Sequence, residues 1–407
     1  MERERVGIVA SYPLIPDTPD GVKDFILGLQ KILVQKGIDA FLVGPSLPKE
    51  SPNMADETLG ISLIPVKIGK TGYKGTVTLN LPRATKMLNR RTPDVLDIEE
   101  PWASPPNFIT VLMATNFVSK KPAVVAQFHS YTENLTAVQK SLIIAGKTSR
   151  ILKEAMKKVH ERSAVSPDTA RLWARINKED VCSYEIIPNG IDIDKFTKER
   201  GQFRNWQTLK EKGYKILLAT ARHDKRKGFD FLIKAVGEII KNGERKNILL
   251  KLTGRGPETE NLKRLVNALG LSEYIEFLGN LSEEDLIKAV KNCDMLVAPS
   301  IGDEGTNRSI LNGRAAEKLV AATEIGGQTF AYGDPDIFGE MAKPSNVDSL
   351  AKVINDFLKL PKEEADRRTS QGFIDVQRFS WETVGEQKIR QYDRAIERNK
   401  NKLAASE

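Results

Sequence analysis

Short apolar runs alternate with amphipathic stretches along the first half of the chain. Residues 6–10 (VGIVA) are typical of a fully buried strand, and residues 22–36 place apolar side chains on one face of a helix that Gly37 would end. Further strands are predicted at residues 40–43, 61–65, 95–98, 124–128 and 163–165. Strands that alternate with helices indicate a parallel sheet covered on both faces.

The same alternation resumes after a polar stretch. Residues 192–214 lack periodicity, which is typical of a link between two domains. We therefore expect an α/β fold with two Rossmann-like parallel-sheet domains, residues 1–190 and residues 191–380, whose strand ends face each other across a ligand-binding cleft. The strands predicted for the second domain lie at residues 216–221, 248–253, 295–298 and 319–322, with one more that ends at Gly279.

The composition is that of a soluble globular protein. The 407 residues are too many for one core, and 40% hydrophobic residues with 29% charged residues is ordinary for folded domains. No apolar run reaches the ~20 residues that span a bilayer, and the charged start MERERVGIVA is not that of a signal peptide. The net charge of +8 suits an anionic partner, but nucleic acid is not expected because no nucleic-acid-binding motif is present. Cys182 and Cys293 lie in apolar runs and are expected to be buried thiols, and the His and Cys residues show no metal-ligand spacing.

Residues 294–327 carry the clearest site signal. They predict a strand, a polar turn through Asp303, Glu304 and Gly305, a helix over about residues 306–317 and a second strand. The turn lies at the carboxyl end of the strand, and the helix that follows points free N–H groups toward the same space, which suits a phosphate. A carboxylate would repel that anion, so Glu304 is expected to face an uncharged hydroxylated group attached to it. A sugar nucleotide fits both requirements.

Three other loops carry candidate site residues. Residues 222–228 (RHDKRKG) place four cations ahead of a helix, which would clamp an anion, although a solvated charge run is the plain alternative. His129 follows the strand AVVAQF and is either a ligand contact or a structural histidine. Gly21 precedes the first helix and would let a phosphate approach the backbone, or it is an ordinary turn glycine.

A short cationic helix is predicted near residues 81–91. Its basic residues share one face and its apolar residues the other, which is typical of a membrane-surface patch or of a solvated helix face. The candidate membrane-binding residues are Arg83, Lys86, Arg90 and Arg91.

Over nearly its whole length the chain resembles the family-4 retaining glycosyltransferases of GT-B fold. The motifs that carry the resemblance occur in the order PDGV, FHS, IPNGID, ARHDKRKG, LTGRGP, FLG, Glu304-Gly305 at the start of an E-x7-E motif, and FSWE. Each motif is weak alone, whereas the ordered series is specific. The resemblance implies that a terminal helix within residues 381–407 crosses back to the first domain.

The resemblance also implies roles for the matching positions. Arg222 and Lys227 would hold the donor diphosphate, Glu304 would bind the sugar hydroxyls, and His129 would lie near the donor sugar; these four are the expected catalytic residues. The transfer would retain the anomeric configuration, with no metal and no cofactor. Further contacts to the donor nucleotide sugar are expected from Gly21, Gly254, Gly305, Thr306, Asn307, Arg308 and Asn312.

Within the family, the chain is most similar to the phosphatidylinositol mannosyltransferases. The segments SYPLIPDTPDGVKDF, PDVLDIEEP and QFHSYTENL carry this resemblance. It implies GDP-mannose as the favoured donor and a phosphatidylinositol-like or other lipid-linked acceptor. It also implies that the cationic helix docks on anionic lipid at the cytoplasmic face of the cell membrane. The oligomeric state stays open.

The chain departs from the family pattern within the E-x7-E segment. Asn312 stands where the second Glu is usual, Arg314 stands at an expected apolar position, and Glu317 replaces a helix-ending Gly. Asn keeps one acceptor but loses the charge that would bind the ribose diol. These departures leave a second interpretation open, a catalytically weakened GT-B protein that binds a sugar nucleotide or a partner. A GT-B sugar-nucleotide epimerase is a third.

Overall fold

The structure is a computed structural model in which two compact units are described. The first unit combines Met1–Gly190 with Trp381–Glu407, and the second is Ile191–Ser380. The described residues are 4–10, 14, 21–45, 54–58, 65–68, 73–76, 80–101, 105–129, 154–243, 247–302 and 304–405.

The first unit contains a seven-stranded parallel sheet in the order β3-β2-β1-β6-β7-β8-β9. A separate antiparallel pair is formed by β4 and β5. The strands are β1 (Arg5–Ala10), β2 (Asp39–Gly44), β3 (Glu57–Thr58), β4 (Pro65–Ile68), β5 (Tyr73–Thr76), β6 (Val95–Glu99), β7 (Ala123–Phe128), β8 (Glu161–Ala164) and β9 (Tyr184–Ile186). The helices with described bounds before the second unit include α1 (Gly21–Gln35), α2 (Leu81–Arg91), α3 (Pro105–Ala114) and α4 (Pro167–Asn177).

The second unit contains a five-stranded parallel sheet in the order β12-β11-β10-β13-β14. Its strands are β10 (Lys215–Thr220), β11 (Ile248–Thr253), β12 (Ile275–Gly279), β13 (Met295–Ala298) and β14 (Leu319–Ala322). Its helices are α5 (Ile193–Lys198), α6 (Trp206–Glu211), α7 (Phe229–Lys241), α8 (Thr259–Ala268), α9 (Glu283–Asn292), α10 (Arg308–Ala315), α11 (Gly326–Tyr332), α12 (Pro335–Phe338), α13 (Val347–Leu358) and α14 (Lys362–Val376).

The last helix, α15 (Trp381–Ala404), packs on the first unit. Trp381 lies against Gly28 of α1 and against Gly190, and a β-carbon at either glycine would come within 2.4 Å of the indole ring. Gly385, one turn further along, lies similarly close to Ile32. The glycines thus let α15 approach α1 closely enough to become part of the first unit's core.

Several expectations need correction. Residues 192–214 are not a loose link, because Ile193, Phe196, Phe203 and Trp206 are buried in the second unit; their irregular spacing hid this from the periodicity. The helix predicted over about residues 306–317 covers only Arg308–Ala315. Cys182 is exposed, whereas Cys293 is buried as expected.

Two predicted features fall partly outside the described residues. The strand expected at residues 61–65 overlaps the described part only at Pro65, which begins β4 of the antiparallel pair. Asp303 and most of the loop before Gly21 also lie outside it.

Candidate active site

The site of the second unit is built on an ion pair between two loops. Lys227 lies after β10 and Glu304 after β13, and Lys227 Nζ donates to Glu304 Oε1 at 2.5 Å. Ser300 Oγ donates to the same oxygen at 2.7 Å. Glu304 is 8% exposed and Ser300 only 2%. The carboxylate is therefore held by one cation and one hydroxyl while its other oxygen makes neither contact.

Glycine backbones bring these loops together. Gly228 has φ of 65°, and a β-carbon there would lie 2.0 Å from Pro299 O. The carbonyl of Arg226 accepts hydrogen bonds from the N–H groups of Ile301 and Gly302, at 2.7 and 3.2 Å. The loop after β10 is thus attached directly to the loop after β13.

Gly254 has a comparable role at the end of β11. Its φ is 103°, its N–H donates to Gly279 O at 2.8 Å, and a β-carbon would lie 2.0 Å from Ala221 O. Only a glycine fits this approach, so the position is constrained by the fold whether or not it contacts a donor. Arg222, half-buried, follows Ala221 directly.

The segment after Glu304 leads into α10. Asn307 is its N-cap, since Oδ1 accepts from Ser309 N at 2.9 Å, and its amide donates to Gln328 Oε1 at 2.6 Å. Asn307 is therefore occupied within the fold, which leaves little of its side chain for a ligand. Thr306 is buried, Gly305 is half-buried, and Arg308 is exposed at the first turn of the helix, where a cation would meet an incoming anion.

The three departures from the family pattern have different structural outcomes. Asn312 is half-buried, and its amide has no hydrogen-bond partner among the described residues. Arg314 is 3% exposed, because its guanidinium stacks 3.8 Å from the Phe338 ring centre and pairs with Asp375 at 2.5 Å. Burial lowers the pKa of Arg314 to about 10, against the opposing effect of Asp375. Arg314 thus fills an interior position, whereas Asn312 stays available.

Glu317 adopts the backbone conformation that a helix-ending glycine would supply. Its φ is 55°, Glu317 N donates to Arg314 O at 3.0 Å, and Lys318 N donates to Gly313 O at 2.9 Å. These two bonds form a Schellman motif, in which the left-handed residue is most often Gly. The helix therefore ends where the family pattern places its end, but with a strained residue.

The first unit has its own cluster at the carboxyl ends of β6 and β7. His129 Nε2 lies 2.5 Å from Glu99 Oε2, and His129 N donates to Glu100 Oε2 at 2.9 Å. Glu100 has φ of 53° and donates its N–H to Gln127 O. A non-glycine residue in this region stores strain of the kind found at functional sites.

A lysine from α15 completes this cluster. Lys388 Nζ donates to both oxygens of Asp97, at 2.9 and 3.1 Å, and lies 3.5 Å from Glu99 Oε1. Tyr392 O–H donates to Asp97 Oδ2 at 2.6 Å. The side chains of Lys388, Asp97 and Glu99 are 0% exposed. The sequence did not lead us to Lys388, although it falls on the buried face of α15 four residues before Tyr392.

Burial dominates the titration of this cluster. It raises the pKa of Asp97 to about 6 and raises that of Glu99, while the nearby Lys388 ammonium opposes both shifts. It lowers the pKa of His129 to about 4, against the carboxylate of Glu100. Burial also opposes the charged form of Lys388, but the two carboxylates outweigh it and raise the lysine pKa. At neutral pH the imidazole is therefore uncharged and the ammonium charged.

The predicted membrane-binding residues do lie on one helix, α2, but most of them have protein partners. Arg90 and Arg91 both pair with Glu57, and Arg83 donates to Thr58. Lys86 is exposed, with no ion-pair partner among the described residues. Fewer free charges face solvent than the sequence pattern indicates.

Gly21 is the first residue of α1 and is exposed, and a β-carbon there would meet nothing within 4 Å. Its role in a phosphate site therefore stays a prediction. Across the described ranges, no three His, Cys, Asp or Glu side chains are grouped to hold a metal ion. None of the helices in the described part of the chain is both long enough and apolar enough to cross a bilayer.

Two known protein families match this chain, one in each half. Residues 19–195 match Glycosyltransferase Family 4, and residues 202–372 match Glycosyl transferases group 1. The chain belongs to the family-4 glycosyltransferases. The resemblance noted from the motifs is thereby confirmed, and the two matches correspond in order to the two parallel sheets.

Individual relatives of this glycosyltransferase agree with that placement. It is 27% identical to the phosphatidyl-myo-inositol mannosyltransferase of Mycobacterium leprae, over 96% of each chain. It is 26% identical to a GDP-mannose-dependent monoacylated alpha-(1-6)-phosphatidylinositol monomannoside mannosyltransferase of Corynebacterium glutamicum, over 50% of this chain and 54% of that one. A glycosyltransferase structure from Rickettsia africae superposes with a TM-score of 0.75 at 20% identity, covering 97% of this chain and 99% of the other. The expected GT-B fold is thus confirmed.

Proposed function

We propose that this glycosyltransferase transfers mannose from GDP-mannose to an inositol phospholipid or a closely related lipid-linked acceptor. The observation that carries the proposal is the match to a phosphatidyl-myo-inositol mannosyltransferase over 96% of both chains. A match of that extent includes the units that would bind the acceptor as well as the donor. The donor base is taken from the relative whose name specifies GDP-mannose.

The Lys227–Glu304 pair supports a site for a sugar diphosphate. A donor diphosphate brings negative charge, and Lys227 together with Arg222 would take its oxygens. Glu304, held by Ser300, would then accept hydrogen bonds from sugar hydroxyls. As the sugar–phosphate bond breaks, charge develops on the departing diphosphate, and cations already in place stabilise it without reorganisation.

We further propose that the transfer retains the anomeric configuration and needs no metal. The residues assigned to the leaving group are cations, which can neutralise a diphosphate themselves. His129, uncharged and buried beside Glu99, would contact a hydroxyl of the donor sugar. The protein would act at the cytoplasmic face of a membrane, with the exposed Lys86 of α2 among the groups that approach anionic lipid.

A donor panel followed by a transfer assay tests the proposal. Thermal shifts would be measured with GDP-mannose and with UDP, ADP and CDP sugars, and radiolabelled mannose transfer to phosphatidylinositol vesicles would follow. We expect the largest shift with GDP-mannose and a chloroform-soluble labelled product. No shift with any sugar nucleotide would overturn the proposed function, and a clear shift with a different donor would overturn the choice of GDP-mannose.

Asn312, whose amide has no partner in the described part of the chain, favours one second candidate, a protein that binds sugar nucleotides but turns them over slowly. Asn312 lacks the carboxylate that the family pattern places against the ribose diol. The same experiment separates the two, because this candidate gives a thermal shift with no labelled lipid.

A further inference from the structure

The buried cluster around Lys388 contains more ionisable groups than a structural contact needs. One ammonium is surrounded by two carboxylates, a phenol and an imidazole, and Asp97, Glu99, Lys388 and Tyr392 have no exposed surface. Such a group cannot touch a substrate. Any effect it has on sugar transfer must pass through a neighbour that can.

His129 is that neighbour. It is 5% exposed, and its Nδ1 has no hydrogen-bond partner among the residues that the structure describes. The amide oxygen of Asn189, which is 9% exposed, is likewise unpartnered in the same part of the structure, although the two side chains lie close enough for Asn189 to raise the pKa of His129. An imidazole nitrogen with a lone pair and an amide oxygen both require a donor, and a sugar hydroxyl is such a group.

Whether Nδ1 accepts or donates depends on Glu99. A neutral imidazole carries one proton, so Nδ1 is an acceptor only when Nε2 holds the proton and donates it to Glu99. That arrangement needs Glu99 to be ionised. If Glu99 were protonated, its O–H would donate to Nε2, the ring proton would move to Nδ1, and Nδ1 would repel a hydroxyl proton.

The groups around Glu99 belong to several elements of the first unit, and they differ in charge. Asp97 on β6 and Glu100 after it are negative, and Tyr392 is uncharged. Phe25 of α1 contributes an uncharged ring whose centre lies 4.7 Å from the centre of the His129 imidazole. Lys388 is the group that most strongly favours an ionised Glu99, and a hydrogen bond with Asp97 acts in the same direction. The ammonium thus opposes the effect of burial.

We propose that Lys388 is a positioning residue for sugar transfer, which keeps Glu99 ionised and thereby fixes His129 in the tautomer whose Nδ1 accepts a substrate hydroxyl. The proposal rests on the proposed function for its substrate, but its central statement concerns which nitrogen of His129 carries the proton. Replacing Lys388 by an uncharged residue makes Glu99 take up one proton from solvent. That proton is donated to Nε2, and the ring's own proton moves to Nδ1.

Nitrogen-15 NMR of histidine-labelled protein reads the tautomer directly and needs no substrate. The chain has three histidines, so the spectrum is simple, and His129→Gln identifies the signals of that ring. His160 is an internal reference, because its Nδ1 accepts from Val124 N at 3.0 Å and its proton is therefore on Nε2. We expect the Nε2–H pattern for His129 in the wild type and the Nδ1–H pattern in Lys388→Met at pH 7.

Two further variants keep the test decisive. Asp97→Asn removes a carboxylate but leaves the Lys388–Glu99 pair, so the wild-type tautomer is expected. Asp97→Asn with Lys388→Met removes one charge of each sign, which limits the folding cost, and is expected to give the Nδ1–H pattern. If Lys388→Met does not fold, this double variant replaces it.

Kinetics then connect the tautomer to transfer. We expect Lys388→Met to lower kcat by about tenfold, the equivalent of one lost hydrogen bond in the transition state, with little change in the donor KM. A folded Lys388→Met or double variant that keeps the Nε2–H pattern would overturn the inference. So would a changed tautomer accompanied by wild-type kcat. A wild type that transfers no sugar would instead overturn the proposed function, while the NMR result would still decide the tautomer.

Discussion

Lys227 and Glu304 are 77 residues apart in sequence, yet their side chains meet at 2.5 Å between Nζ and Oε1. Both belong to the loops that follow adjacent strands, β10 and β13, of one parallel sheet. Parallel strands deliver their carboxyl ends to one edge, so residues found separately by their position after a strand come together. A charge pair at such an edge is arranged for a ligand that carries both anionic and hydroxyl groups.

We expect Lys227→Ala and Glu304→Gln each to reduce transfer by roughly 100-fold, because each removes a group that interacts more strongly as the bond to the leaving group breaks. Melting temperatures should change by only a few degrees. Initial rates at saturating donor measure the effect. Lys234→Ala, an exposed lysine on α7, is the control and should keep wild-type turnover. Near-normal rates in either site variant would remove these residues from the catalytic assignment.

Asn312→Glu should tighten donor binding by about tenfold, because a hydrogen bond to a charged acceptor adds roughly 1.5 kcal/mol. The side chain is half-buried and unpartnered within the described ranges, so the new carboxylate has room to reach a ribose diol. Isothermal titration with the donor gives the Kd. Asn312→Gln has the same length without the charge and should change little. Equal affinities for Glu and Gln variants would show that this position does not face the ribose.

Glu317→Gly should stabilise the second unit by about 1 kcal/mol, since glycine adopts a positive φ without the steric cost that other residues carry. Glu317 has φ of 55° and an exposed side chain, so the substitution removes strain and no buried contact. Denaturant unfolding measures the gain. Lys359→Gly is the matched control: it also follows a helix, but its φ is −91°. Glycine there should destabilise, and a gain of the same size at both positions would contradict the strain argument.

The titration of His129 should be visible in stability against pH. Its folded pKa is about 4 and its ordinary value 6.5, so the unfolded chain binds the proton more readily. Its contribution is fully present above pH 6.5 and is lost as pH falls toward 4. Asp97, whose pKa is raised from 3.8 to about 6, has the opposite slope: its contribution is fully present below pH 3.8 and is lost as pH rises through 6.

Comparison with His129→Gln isolates the histidine, because Asp97 is present in both proteins. The free energy of unfolding of the wild type, relative to the variant, should fall by roughly 2–3 kcal/mol between pH 7 and pH 4. Denaturant melts at several pH values give the difference. A constant difference across this range would mean that His129 has the same pKa in the folded and unfolded protein, which would contradict the lowered value.

Charge reversal on α2 tests the membrane assignment with variants that the structure selects. Arg83→Glu with Lys86→Glu changes the charge by four units. It removes the Arg83–Thr58 hydrogen bonds but keeps Arg90 and Arg91, whose ion pairs with Glu57 hold the helix to β3. We expect weaker sedimentation with phosphatidylserine vesicles, because each basic group contributes about 1 kcal/mol near such a surface. Lys212→Glu with Lys241→Glu makes the same change in the second unit. Equal loss in both pairs would indicate net charge alone.

Much of the candidate site was predictable because its residues directly follow buried strands in the sequence. Glu304, Lys227 and His129 were found because polar residues directly after a buried strand stand at the sheet edge. Ser300 carried the same signal, in the Pro-Ser turn after β13, and it was missed as a partner of Glu304. The left-handed backbone at Glu317 followed from the family pattern, and the structure keeps it although the residue has changed.

Other features could not be read from local sequence. Lys388 interacts with Asp97 across 291 residues of chain, and helix periodicity does not say which of several lysines is buried. Its spacing from Val384 and Tyr392 by four residues was the available signal. Burial of the segment near Trp206 depends on apolar residues with no regular period. Such contacts are set by tertiary packing, which overrides the local pattern.

The order in which the two units can finish folding follows from the way Lys388 completes the first unit. Asp97 and Glu99 are made early, but the ammonium that neutralises them arrives only after the whole of Ile191–Ser380 has been translated. Burying two carboxylates without a counter-ion is unfavourable, so this edge of the sheet is expected to stay hydrated while the chain is still on the ribosome. The second unit is continuous in sequence and is free to finish first. Maturation of the N-terminal half therefore waits for the C-terminal helix, and the unit translated first is completed last.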